Sequence, residues 1–380
     1  MTANKREKNL KNNNIVYIIE IVILTAAAVF LSVIGSTLFV DIIGFAGIMA
    51  VCIAVASALF ACVLFLTKSR VIIPAAIISF AGTFILTQNM ISSCASLIYI
   101  VIGLFIYFGV KKKNKRTQIT VGISAVLTVL YAVILISSVV LPAGTFSPRE
   151  TVASIDADLT NRLDGYIDQY SDVFMQYSGD ETLASATDEE RAVYFENYKK
   201  ELVMNIKAIL PSCFVLYSLI IAYLSTALFK HSYNIFIPMA NPGRKRIKNK
   251  YWRINISAVS AIIMIISMIL AMIFSTGDNL IGYIVLTNFV YILIPGFTIM
   301  GIYFAYDKMF KNGAGFFPVA TIIGVVIAAF IFPFAIVAAT AFFMLLGIYA
   351  ALISDIKKYY DKLKKILLGD DDDDDDDYID

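Results

Sequence analysis

The chain has 380 residues, 59% of them hydrophobic and only 16% charged, whereas soluble domains carry about 25% charged residues. A water-soluble fold with that balance would leave more apolar surface than its interior could hide, so composition excludes a soluble globule. The formal net charge of +2 also hides an asymmetry: Asp370 to Asp377 are eight consecutive aspartates, Asp380 follows, and removing these nine acids from +2 leaves +11.

About ten apolar stretches of roughly 18 to 30 residues, each bounded by polar residues, run through the chain; about 20 such residues carry a helix across ~30 Å of hydrocarbon. The stretch from Ile254 to Phe274 holds no charged side chain at all. This pattern predicts an all-α fold, a polytopic transmembrane helical bundle of about ten spans. Lysine and arginine mark the cytoplasmic ends of short loops, and here they alternate with the spans.

In chain order, Lys5, Arg6, Lys8 and Lys11 precede span 1 (about 15–36), which reads as a retained signal-anchor. Span 2 (about 38–66) returns to Lys68 and Arg70, and span 3 (about 71–88) exits to a polar turn, Gln88 to Ser93. Span 4 (about 92–110) returns to Lys111, Lys112, Lys113, Lys115 and Arg116, and span 5 (about 118–141) leaves again. At about 29 residues span 2 is too long for an upright helix; it tilts strongly or begins with a re-entrant piece around Asp41 to Gly47, and the broken form is the expectation.

A hydrophilic stretch over about 143–205 then lies outside. Span 6 (about 207–229) leads to a basic inner loop containing Lys230, His231, Arg244, Lys245, Arg246, Lys248, Lys250 and Arg253. Span 7 (about 254–275) exits, and span 8 (about 280–305) returns to Lys308 and Lys311. The apolar block Phe316 to Ile353 has basic residues on both flanks, so two helices meeting near Pro333 are expected. The domains are then a bundle over 1–142, an extracytoplasmic acidic helical hairpin insert over 143–206, a second bundle over 207–354, and a cytoplasmic lysine-rich helix end with a solvated aspartate tail over 355–380. Both termini are cytoplasmic in this reading.

The insert itself reads as two helices. Ser147-Pro148-Arg149-Glu150 is a capping box with proline at the first helical position, followed by an apolar stripe from Val152 to Phe174. Ser178-Gly179-Asp180 breaks the run, and Thr187-Asp188-Glu189-Glu190 opens a second helix that continues into span 6.

Ionisable residues inside hydrocarbon are expensive, about 2.5 to 3.5 kcal/mol on insertion scales, and few occur here. Glu20 in span 1, Asp41 at the outer start of span 2 and Asn288 in span 8 are the candidates for polar contact with a solute, although Glu20 and Asp41 are also close enough to an interface to reach the head groups. Ala46, Ala50, Ala54, Ala58 and Cys62 recur every four residues and give span 2 a small face, suited either to packing within the chain or to docking a partner helix.

No catalytic or metal-ligating set is present. His231 is the only histidine, and there is no H-E-x-x-H, no P-loop and no G-x-S-x-G, so neither an enzyme nor a cofactor is expected and an ATPase would be a separate subunit. Cys52, Cys62, Cys94 and Cys213 read as apolar packing residues, with a Cys94–Cys213 disulfide as the alternative.

The order of these features resembles the YybS-like family of bacterial membrane proteins. Its points of similarity are the basic loop Lys111 to Arg116, the span closing at Leu141-Pro142 before Ser147-Pro148-Arg149-Glu150, the tryptophan-bearing loop from Pro242-Gly243-Arg244 to Tyr251-Trp252-Arg253, and the close from Leu346-Gly347-Ile348 to Asp355-Ile356-Lys357. Ile353 to Lys358 departs from that family's aromatic C-terminal signature, as does the aspartate tail. The resemblance implies a multi-pass protein of the bacterial plasma membrane, distantly similar to the substrate-binding S-components of energy-coupling-factor transporters, whose small-residue stripes dock an energising subunit. The expected function is transporter-like binding of a small solute, with the lipid bilayer and possible membrane-protein partners around it and no nucleic acid. A membrane scaffold or envelope-assembly factor is the alternative.

Overall fold

The computed structural model describes residues 3–37, 42–67, 70–143, 147–169, 188–240, 246–247, 254–275, 280–311 and 333–368. Among these residues the regular elements are all helical: α1 (Ala3–Thr37), α2 (Ile42–Thr67), α3 (Ile72–Thr87), α4 (Met90–Ala95), α5 (Ile98–Lys111), α6 (Arg116–Ala143), α7 (Pro148–Gln169), α8 (Asp188–Ala240), α9 (Ala258–Ser275), α10 (Leu280–Lys311) and α11 (Pro333–Leu368). Eight stretches of the described residues are long and apolar enough to cross a membrane. The helix α3, with 16 residues, is apolar but short. A tenth crossing expected before Pro333 falls outside the described residues, as do Asp41, Ser178-Gly179-Asp180 and the aspartate tail.

Many large apolar side chains point outward. Ile18, Ile19, Val22 and Ile23 on α1 and Ile262, Ile266, Ile269 and Ile273 on α9 are all exposed. Water does not tolerate apolar faces of this extent, whereas a bilayer solvates them. The chain is a multi-pass membrane protein.

Three helices differ from their expected form. The helix α2 is unbroken from Ile42 to Thr67, so residues 42–47 belong to the span rather than to a separate re-entrant piece; at about 39 Å it needs tilt to fit. Span 4 is divided between α4 and α5 by a turn at Ser96 and Leu97. The helix α8 runs to Ala240, so Lys230 and His231 are helical rather than in a loop. Its 53 residues measure about 80 Å, well beyond one hydrocarbon crossing.

The chain divides into two compact units, Met1–Leu127 with Val215–Asp380, and Thr128–Phe214. In the second, the Lys199 ammonium donates to Asp168 at 2.8 Å and the Lys207 ammonium meets Asp156 at 2.7 Å. These pairings run in opposite directions along the sequence, the order required of antiparallel neighbours. Ile167 and Val203 are buried in the same unit.

Among the described residues of the first unit, two apolar cores stand out. One gathers Ala28 and Val29 of α1, Ala56, Phe60 and Leu64 of α2, Ala75 of α3 and Tyr99 and Ile100 of α5. The other gathers Ala261 and Met264 of α9, Phe297 and Met300 of α10, and Met344, Ile348, Ala350 and Ala351 of α11. In the second core α10 and α11 cross backbone to backbone: a Cβ on Gly301 would fall on the Phe343 carbonyl, and one on Gly347 on the Phe297 carbonyl. Only glycine permits that approach.

Contacts also join helix ends. Phe65 of α2 meets Tyr107 of α5 and Phe229 and Tyr233 of α8, with ring centroids 4.9, 5.8 and 5.2 Å away. Thr117 of α6 and Asn255 exchange two hydrogen bonds, and Asp355 of α11 accepts from the Ala258 amide at 2.7 Å, capping α9. These are the ends that carry the basic loops in the sequence. At the other end, Ser36 of α1 meets Thr83 of α3 at 3.0 Å, and Asn89 caps α4.

Candidate functional site

On α1, Glu20, Leu24, Ala28, Ser32 and Ser36 recur every four residues and form a ridge that winds around the helix, Ser32 lying about a third of a turn from Glu20. Leu24, Ala28, Ser32 and Ser36 are buried, and Glu20 is half-buried. The Glu20 Oε1 atom is sealed from solvent and has no hydrogen-bond partner, and its carboxyl lies within electrostatic reach of the buried Cys62 thiol on α2. Asn288 instead donates its amide to the Ile284 carbonyl of its own helix at 2.9 Å. The helix α1 packs on α2, α3 and α4, whereas α10 packs on α9 and α11, so Glu20 and Asn288 stand in different helix groups. Asp41 lies outside the described residues.

The small stripe of span 2 is used inside the chain. Ala50, Ala54, Ala58 and Cys62 are all buried, and α2 packs on both α1 and α5. Ala46 belongs to the same helix. That burial leaves the described part of the stripe closed to a docking partner. All four cysteines are free in the structure.

The densest polar cluster is where α4 gives way to α5. Serine hydroxyls compete with the backbone ladder there: Ser93 Oγ donates to the Asn89 carbonyl at 2.8 Å and Ser96 Oγ to the Ser93 carbonyl at 2.6 Å. The Ser96 carbonyl in turn accepts from Ser32 Oγ of α1 at 2.5 Å. Around this break Ser32, Ser36, Thr83, Ser92, Ser93 and Ser96 are all at most 4% exposed, and Ser92 Oγ has no hydrogen-bond partner. A hydroxyl both donates and accepts.

A second polar assembly joins α6, α8 and α10. Arg116, expected in a solvated loop, is the first residue of α6 and only 3% exposed. Its guanidinium donates to Thr226 Oγ1 at 3.1 Å, the Tyr223 carbonyl at 3.2 Å and the Tyr303 hydroxyl at 3.5 Å, and lies 4.5 Å from the centroid of the Tyr223 ring. The Tyr223 and Tyr303 hydroxyls are 3.2 Å apart, and Thr120 bonds Thr226 at 3.2 Å. Planar, multidentate and π-stacked recognition is what arginine does and lysine cannot. The assembly ties three helices together near the basic loops.

Sequence reasoning missed Ser92, Ser96 and Arg116. The signal for the first two was present, in three serines within five residues of an otherwise apolar run. For Arg116 the signal was masked by its lysine neighbours. Among the described residues no group of histidine, cysteine, aspartate or glutamate is arranged to hold a metal ion. No protein-family model, curated protein or solved structure matches the chain.

Proposed function

We propose that the chain is a transporter-type protein of a bacterial plasma membrane, YybS-like in kind, which binds a small polar solute within its helical bundle and hydrolyses no nucleotide itself. The observation that carries this reading is the interrupted span, with six buried hydroxyl residues of α1, α3 and the α4–α5 segment converging on it. Broken helices are where membrane bundles free backbone and side-chain oxygens for a solute. Ser92 supplies the one unengaged hydroxyl of the set, and α1 carries Glu20 as well as Ser32 and Ser36.

The test is a panel of small metabolites added to the purified protein while its melting temperature is followed. At least one neutral polar solute should raise it by several degrees in the natural chain and not in Ser92→Ala. A ligand at 100 times its Kd stabilises by about 2.7 kcal/mol, so a saturating binder cannot pass unnoticed. A broad panel without any stabilisation contradicts solute binding.

A scaffold role is the second reading, favoured by the compactness of residues 128–214 as a separate unit. It predicts partners that co-purify with the full chain and are lost when residues 147–206 are deleted. Unchanged partners after deletion would remove the insert as their dock.

A further inference from the structure

We propose that Glu20 is a proton-carrying carboxyl, neutral in the helix arrangement described here, and that the proton is the coupling ion of the transporter-type reading above, on which this inference rests.

The argument begins with the environment of Glu20. An ionised carboxylate has about four lone-pair sites to satisfy and tolerates burial only when donors or cations supply them. The Glu20 Oε1 atom has neither solvent nor a donor. Its own helix is flanked there by Ile18, Ile19, Val22 and Ile23, all exposed on a lipid-facing surface. Among the helices packed on α1, α2 offers Cys52 and Cys62 as its titratable groups, α3 offers none, and α4 offers Cys94. No lysine or arginine lies on those three helices, and the group that the described residues place in electrostatic reach is the buried Cys62 thiol, which is no cation. The neutral acid is the form that fits.

The position of Glu20 makes that proton useful. It heads a winding row on α1 that continues through the buried Leu24 and Ala28 to Ser32 and Ser36 at the hydroxyl cluster, about 18 to 24 Å further along the helix. The contact between α1 and α2 is lined by small groups: Ala28, Ala54 and Ala58 are fully buried, and a Cβ on Gly35 would already sit 3.1 Å from the Cys52 Cβ. A sliding or tilting of α1 on α2 that admits water to Oε1 would release the proton to that water as hydronium. The same movement displaces Ser32 from the Ser96 carbonyl. One continuous helix thus links proton release to the solute site, and the differential affinity of the two arrangements for a proton is what biases the movement.

The experiment is carbodiimide labelling of the purified full chain, read by mass spectrometry of the peptide containing Glu20. Carbodiimides attack protonated carboxyls. Apolar dicyclohexylcarbodiimide should label Glu20 while a water-soluble carbodiimide does not. The yield should fall about tenfold per pH unit once the carboxyl ionises. Glu20→Gln removes the adduct, and Glu20→Asp, if folded, restores part of it. Equal labelling by both reagents, a yield flat with pH, or no adduct on that peptide would each overturn the proposal. Labelling reads Glu20 alone, so a failed metabolite panel would leave it standing. A flat pH profile would remove the proton without touching the site at Ser92.

Discussion

The two apolar cores of the first unit solve the same packing problem in opposite ways. In the C-terminal group, α10 and α11 touch backbone to backbone through Gly301 and Gly347, with no atoms to spare between them. In the N-terminal group, α1, α2 and α3 approach through alanines and hydroxyls, and the interior keeps Ser32, Ser36, Thr83 and Ser92, with Glu20 half-buried. Lipid offers no hydrophobic drive between helices, so both groups rely on close packing and interhelical hydrogen bonds. The glycine crossing is a clamp that tolerates no side chain. The hydroxyl-lined group holds polar atoms that can exchange partners.

The largest effect is expected at the clamp. Gly301→Leu forces apolar atoms into the Phe343 backbone and should destabilise by about 3 kcal/mol or more, seen as a large drop in melting temperature in detergent. A neutral outcome would mean α10 and α11 do not cross there.

Arg116→Ala strips a charged donor from Thr226, Tyr223 and Tyr303 and should cost about 2 to 3 kcal/mol. Arg116→Lys should recover less than half, because an ammonium cannot reproduce the planar fork. Full recovery by lysine would show that charge alone matters.

Replacing the α9 cap is smaller: Asp355→Ala should lose about 1 kcal/mol and Asp355→Asn less, by thermal unfolding. Smallest of all, Lys199→Ala removes the ion pair to Asp168 in the second unit, where Asp168 is 55% exposed, and should change stability by no more than ~1 kcal/mol. A larger loss there would mark the α7–α8 pairing as more than a surface contact.

Eight spans among the described residues were legible in the sequence, because hydrocarbon thickness fixes a length that an apolar run either meets or does not. The starts of α7 at Pro148 and of α8 at Asp188 were legible for a different reason, since capping chemistry is local. The three features that escaped are tertiary. Gly301 and Gly347 look like any other glycines until the helices that carry them are laid together. Arg116 reads as one more cation after four lysines, and only contacts from α8 and α10 explain its burial. The alanines of α2 announced a tight interface, but not that α1 and α5 would occupy it. Helix α8 overran its expected end because Lys230 and His231 are good enough helix formers to continue a helix past the bilayer. Of the two solute-contact candidates among the described residues, Glu20 has a sealed oxygen without a hydrogen-bond partner, and Asn288 is bonded to its own helix.

The central claim is that the helix ends joined by Arg116, Asn255 and Asp355 share one side of a bilayer, opposite the end at Asn89. It is tested most directly in a variant with Cys52, Cys62, Cys94 and Cys213 replaced by alanine, carrying Lys113→Cys or Asn89→Cys, and treated with a membrane-impermeant thiol reagent. The account predicts that Asn89→Cys is labelled in intact cells and Lys113→Cys only after the membrane is opened. Labelling of both positions from the same side would contradict it.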